Sequence, residues 1–309
     1  PRASGPDCRR PAGRCDAAKG VVRKEWRWPQ TVLVDHVLWS GPIGQSATKV
    51  ELEPTTAIDQ TLVASQVAPA GVPMAISHFS YPDQDEVPYL EWFGPHFPSV
   101  FVALNPFIRI HDGEPFQNGN GTPPEVIRRA KRCGQACSVT WEEVASLCGF
   151  ATVAEVNQSL RLTGSKRLIP EFASPKNTAT LLKRCRENNL YPPDEGLASP
   201  PFEWSFASFA RASGQDSLLA ADGFSSKAEQ LKVSQLADPE ELNEFAEFAA
   251  PDDSFYATIY THYHYWLICQ TSGSLSKARP EKFFEGFYAG IGTNDLWGLV
   301  QTDPEGKPA

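Results

Sequence analysis

Within this 309-residue chain the sharpest chemical pattern is His262-Tyr263-His264. Residues two apart on a β-strand point to the same face, so both imidazoles would reach one metal ion there. A closed or catalytic zinc-type centre needs at least a third protein ligand. His78, His96 and His111 lie far off in sequence, and no motif fixes an acidic ligand such as Asp252 or Asp253. The competing reading is two histidines packed among tyrosines. A third ligand would make the chain a metal-dependent hydrolase or oxygenase; packed histidines would leave it without a cofactor.

Three other patterns carry less chemistry. Cys133-Gly134-Gln135-Ala136-Cys137 has a spacing suited to a zinc knuckle, but no second Cys or His pair of that kind follows. A helix ending at Gly134 with two ordinary thiols accounts for it. Ser274-Leu275-Ser276-Lys277 matches Ser-x-x-Lys without the Ser-Asp-Asn or Lys-Thr-Gly that penicillin-recognising enzymes add, so it reads as a turn after a strand. Asn118-Gly119-Asn120-Gly121 is glycine-rich but joins no strand to a phosphate-cradling helix. Gly-x-Ser-x-Gly, Walker and dinucleotide fingerprints are absent from the sequence.

The elements that would position these residues are legible in part. Thr140-Trp141-Glu142-Glu143 and Thr152-Val153-Ala154-Glu155 each place a hydroxyl three residues before a carboxylate, the capping-box signature of a helix start. Ser174-Pro175 and Asp238-Pro239 place proline behind a capping side chain, predicting helices over about 175–189 and 239–249. A last helix is expected from Pro280, with Phe283, Phe284, Phe287 and Tyr288 on its buried face. Val100 to Ile110 reads as a strand broken at Pro106, which cannot donate to a ladder. Asp216 to Ala221 and Gln230 to Leu236 read as a hairpin turning near Asp222-Gly223. Leu296 to Gln301 is a candidate edge, and Tyr191 to Pro201 reads as a loop.

The longest apolar run, Ser254 to Gln270, is expected to be one strand, bent or bulged. It is apolar on both faces, which places it centrally in a sheet and favours packed histidines. The fold class that follows is α+β, a mainly antiparallel sheet with helices packed on one side, in a single domain.

Composition bounds the domain and its partners. Residues 1–73, rich in Gly, Pro, Ala, Arg and Ser, carry 9 basic and 7 acidic residues, whereas 74–309 carry 19 and 30. The first segment has no sustained apolar period, so it is read as poorly ordered or as a spurious upstream extension, with a start near Met74. Within it only Thr31–Leu38 and Gln60–Val67 are strand-like. Residues 74–309 are read as the folded domain. Five scattered cysteines there need no disulfide framework, which points to a cytoplasmic location. No stretch is long and apolar enough for a membrane span. A charge of −11 over 74–309 disfavours nucleic acid.

Several of these strings resemble a known family. Leu104-Asn105-Pro106-Phe107-Ile108, the Trp141-Glu142-Glu143-Val144 helix running into Gly149-Phe150 and Glu155-Val156-Asn157, and Asp253-Ser254-Phe255 look like the bacterial domain of unknown function 2711 family. The resemblance spans nearly all of residues 76–300 and implies no activity. The Phe283-Phe284-Glu285-Gly286-Phe287-Tyr288 stretch followed by Trp297 is similar, at the level of layout, to the C-terminal part of several bacterial toxin-immunity proteins. Layout alone does not carry function. The favoured expectation is a non-enzymatic acidic binding protein, immunity-like in its specific form. A basic protein partner would meet Asp252, Asp253 and Trp266, with Trp92 and Trp204 as further aromatic contacts.

Overall fold

Strand β1 (Ser99–Leu104) is buried on both faces. Its Val100, Val102 and Leu104 enter one apolar cluster, while Phe101 and Ala103 enter another. The same parity split recurs in β5 (Ser217–Ala221), β7 (Glu247–Ala249), β8 (Phe255–Thr258) and β9 (Tyr265–Gln270). Successive side chains alternate across a pleated sheet, so a strand apolar at both parities must be covered on both faces. The computed structural model describes residues 81–82, 86–110, 116, 122–133, 137–164, 170–222, 228–238 and 245–299. The expectation for residues 1–73 falls outside them.

With β6 (Ala228–Lys232) and β10 (Gly286–Tyr288), these strands form a seven-stranded sheet in the order β10-β1-β9-β8-β7-β5-β6, with every pairing antiparallel. A second sheet of order β3-β2-β4 joins β2 (Phe107–Arg109), β3 (Ser138–Val139) and β4 (Leu190–Tyr191). The α+β class with an antiparallel sheet is as the sequence implied.

Helical cover is two-sided, not confined to one face. On one face lie α1 (Tyr89–Trp92), α3 (Trp141–Cys148), α4 (Val153–Leu160) and α5 (Pro175–Glu187). On the other lie α6 (Pro200–Ala212) and α7 (Val233–Leu236). Helix α2 (Pro124–Cys133) is tied to α6 by a Lys131–Glu203 ion pair at 2.8 Å, and α8 (Ser272–Lys277) follows β9. Phe202, Phe206 and Phe209 of α6 sit at helical spacing and pack Phe206 on Phe248 at 4.9 Å and Phe202 on Trp266 at 5.0 Å between ring centroids.

Several expected elements take other forms. The Ser254–Gln270 run is two strands of a hairpin, β8 and β9, paired from Phe255↔Gln270 to Thr258↔Leu267. Six residues, 259–264, connect them. Each strand then has a length usual for a globular sheet, which one seventeen-residue strand would exceed. The expected helix 239–249 is strand β7 over its last three residues; 239–244 lie outside the described residues. After Pro280 there is only a short 3₁₀ turn, Pro280–Lys282, before β10 forms the edge; of the expected edge Leu296–Gln301, residues 296–299 are not strand and 300–301 lie outside the described residues. Gly286 explains the change: at φ 153° it lets the chain approach β1 so closely that a Cβ would stand 1.9 Å from the Val102 carbonyl oxygen.

Candidate functional site

The histidine pair does not build the expected centre. His262 and His264 belong to the β8–β9 connection, so the shared strand face that would aim both at one ion does not exist. His264 is buried, with Nδ1 3.1 Å from the Pro193 carbonyl oxygen and Nε2 3.2 Å from that of Leu160. Whichever ring nitrogen carries the proton donates to one of these backbone carbonyls. Burial pushes the imidazole down to about 4, so it is neutral near pH 7. His262 is half-buried against the Tyr260 ring, centroids 5.4 Å apart. Among the described residues no group of three or more His, Cys, Asp or Glu side chains is disposed to hold a metal.

The remaining candidates separate by exposure. Trp266 is fully buried in the α6-side core and stacks on Phe202 and Phe248, so it is a packing residue and not a contact for a partner. Its place on central strand β9, where both faces are covered, is the reason. Asp252 and Asp253 are exposed in the β7–β8 turn; Asp252 accepts from Gln215 Nε2 at 2.9 Å, and Asp253 has φ 55°. Trp92 is 43% exposed, while Trp204 is half-buried on α6. Cys133 is exposed but Cys137 is buried, and burial pushes the Cys137 thiol up to about 12, away from thiolate chemistry. Ser274 is buried under Gln270, whose Nε2 donates to its Oγ at 2.9 Å, and Lys277 is exposed.

A groove of about 330 Å³ lies elsewhere, where the end of β1 meets the starts of α3 and α6. Pro106 cannot continue the ladder of β1, and the Asn105 side chain takes over there. Its Nδ2 donates to the Leu197 carbonyl at 2.7 Å, and its Oδ1 accepts from Ser199 N–H at 2.9 Å. Its own carbonyl accepts from Trp141 Nε1 at 2.7 Å. Asn105 thereby fastens the entry of α6 and the first residue of α3 to one strand end. Ser199 then leads into Pro200 and Pro201, the first-turn positions where proline is tolerated.

Across the groove, Glu285 reaches the N-terminus of α3. Its Oε2 accepts from Trp141 N–H at 2.7 Å and its Oε1 from Glu142 N–H at 2.8 Å. Thr140 and Glu143 complete the capping box, so the first-turn amides of α3 are satisfied by side chains from two parts of the chain. Burial pushes the Glu285 carboxyl up to about 7; the two amides oppose that, and nearby Glu142 and Glu143 add to it.

The rest of the lining divides sharply by chemistry. Leu104, Pro106, Pro201, Phe202, Phe283 and Phe284 make an apolar floor. Ser138, Ser205 and Lys282 also line it, and none of the three has a side-chain hydrogen bond or ion pair among the described residues. A fixed carboxyl, an unpaired ammonium and two hydroxyls without a partner among the described residues therefore line one groove with these apolar side chains. Such mixed lining suits recognition of a small organic molecule, and the volume is near the lower end for ligand sites.

A second polar cluster is closed and structural. Asp295, 1% exposed, accepts hydrogen bonds from Tyr81 and, at 2.7 Å, from Tyr89, whose hydroxyl lies 2.9 Å from that of Tyr265. Arg161 Nη1 donates to the Asp295 carbonyl at 2.6 Å, and its guanidinium lies 4.3 Å from the Tyr263 ring centroid. Burial pushes the Asp295 carboxyl up to about 6 against its hydroxyl donors. This network ties Tyr81, Tyr89 and Asp295 to β9.

The strings that suggested a family hold this framework: Asn105, Trp141, Glu155 and Asn157 make backbone-directed bonds, not contacts to an open site. Sequence reasoning missed the groove. Ser199-Pro200-Pro201 followed by Phe202, Phe206 and Phe209 was the available signal for α6, and Glu285 between aromatic neighbours was the signal for a buried acid. Comparison with curated proteins and with solved structures finds no match. The family described as "Protein of unknown function (DUF2711)" matches residues 85–299, and the chain belongs to that family.

Proposed function

We propose that this protein is a non-enzymatic binding protein that holds a small organic ligand in the groove between the start of α6 and residues 282–285. The observation that supports this most is that Lys282, Ser138 and Ser205, with no side-chain partner among the described residues, line one groove with Glu285 and apolar side chains. Polar groups left uncommitted over an apolar surface are what a ligand would satisfy. The hydrolase or oxygenase alternative rested on His262 and His264 sharing a strand face, and the backbone carbonyls around His264 remove that support.

An immunity-like role toward a basic protein is a second reading, carried by the exposed Asp252 and Asp253. It lacks the aromatic anchor expected of Trp266, so the acidic turn would act alone and its contribution would be screened by salt. Ligand-observed NMR with a library of small organic fragments tests the groove reading, comparing the wild-type chain with a Ser205→Trp variant that fills the site. Fragments that bind the wild type and are lost in the variant support it. A library with no binders, or binders indifferent to the variant, contradicts it.

A further inference from the structure

Lys282 and Glu285 line the same groove, yet neither is paired with the other. Glu285 is fixed by the amides of Trp141 and Glu142, while Lys282 is exposed with its ammonium unengaged among the described residues. Two groups of opposite charge lining one groove beside apolar side chains are complementary to a molecule carrying the inverse pair and an apolar body. We propose that the groove binds a small zwitterion, a free α-amino acid with an apolar or aromatic side chain, its carboxylate on Lys282 and its ammonium on Glu285.

The inference rests on the groove being the binding site and names what fills it. Each Glu285 oxygen accepts one backbone N–H and keeps lone-pair capacity, so an ammonium adds to those bonds without displacing them. The uncommitted hydroxyls of Ser138 and Ser205 supply donors or acceptors to either end of the ligand. Phe283, the most exposed of the three phenylalanines that line the groove, meets its side chain. A ligand bearing only an anion would set a negative charge near Glu285, and one bearing only a cation would leave Lys282 unused.

The pH dependence separates ligands that carry an ammonium from simple carboxylates. Glu285 titrates at about 7, so binding of an ammonium, which favours the ionised carboxylate, strengthens as pH rises from 6 to 8. Binding of a simple carboxylate would weaken over the same range.

The test is isothermal titration of the full chain with L-phenylalanine, phenylacetate and phenethylamine at pH 6 and pH 8. The expected result is that L-phenylalanine binds roughly tenfold or more tightly than either single-charge analogue, with affinity greater at pH 8. Lys282→Gln, a change at an exposed position, should reduce that affinity by roughly 10- to 100-fold. Glu285→Gln should abolish the pH dependence, and Lys282→Gln keeps the test decisive if the loss of the α3 cap impairs folding. Equal or tighter binding of phenylacetate or phenethylamine that Ser205→Trp abolishes would overturn the zwitterion while leaving the groove as the site. No binding by any of the three would overturn the ligand class, and the fragment library then judges the groove independently.

Discussion

Replacing Asp295 with Asn isolates the energetic consequence of burying a carboxyl among tyrosines. Burial holds Asp295 at about 6 in the folded chain, against an ordinary value of 3.8. The folded state therefore keeps a proton between about pH 4 and pH 6 that the unfolded chain has released. Stability rises with pH only where the unfolded state binds more protons, so here it falls as pH rises through that window. The rise from 3.8 to about 6 corresponds to about 3 kcal/mol as an upper bound, lost from pH 4 to pH 7. Asn keeps an acceptor oxygen for Tyr81 and Tyr89, so Asp295→Asn removes the titration with little change to the network. Glu247 and Glu285, both pushed up to about 7, bend the wild-type profile in the same direction and cancel in the difference. Urea denaturation of both proteins at half-unit steps from pH 4 to 7.5 gives that difference. A stability gap that grows in favour of the variant by about one to three kcal/mol is expected; a gap independent of pH would refute the reasoning.

Trp266→Ala should cost about 3–5 kcal/mol in denaturation, because its ring fills the core between Phe202 and Phe248; a cost below about 1 kcal/mol would mean that the ring is not packed there. Lys131→Ala leaves Glu203 charged and buried and should cost about 3–5 kcal/mol, whereas Lys131→Met with Glu203→Leu should recover most of it. Gly286→Ala should sharply lower the thermal midpoint, since the added Cβ meets the Val102 carbonyl; an unchanged midpoint would contradict the close approach of β10 to β1.

Helix starts were the most legible part of the fold, because capping is local: Thr140 with Glu143 makes the reciprocal bonds that the spacing implied. The Pro106 break was legible for the same reason. Where sequence reading failed, long-range pairing decided. Ser254–Gln270 has the composition of one strand, but only contacts with β1 and β7 on either side show that its middle must turn. The aromatic run after Pro280 has helical spacing, yet the free edge of β1 and the conformational freedom of Gly286 recruit it into the sheet. A common face for the two histidines followed from the same misread strand, whereas the exposure expected of Trp266 ran against the central place that its apolar strand already implied. The groove was invisible because its lining comes from four separate parts of the chain, with Glu285 meeting α3 across more than a hundred residues.

Crystals of the full chain soaked in phenol, a small uncharged aromatic, report directly on whether the groove takes a ligand. The expected result is phenol over Phe202, Phe283 and Phe284, with its hydroxyl at Ser205 or Glu285. Phenol found only at other surfaces, with this groove empty or filled by side chains, would contradict the assignment of the site.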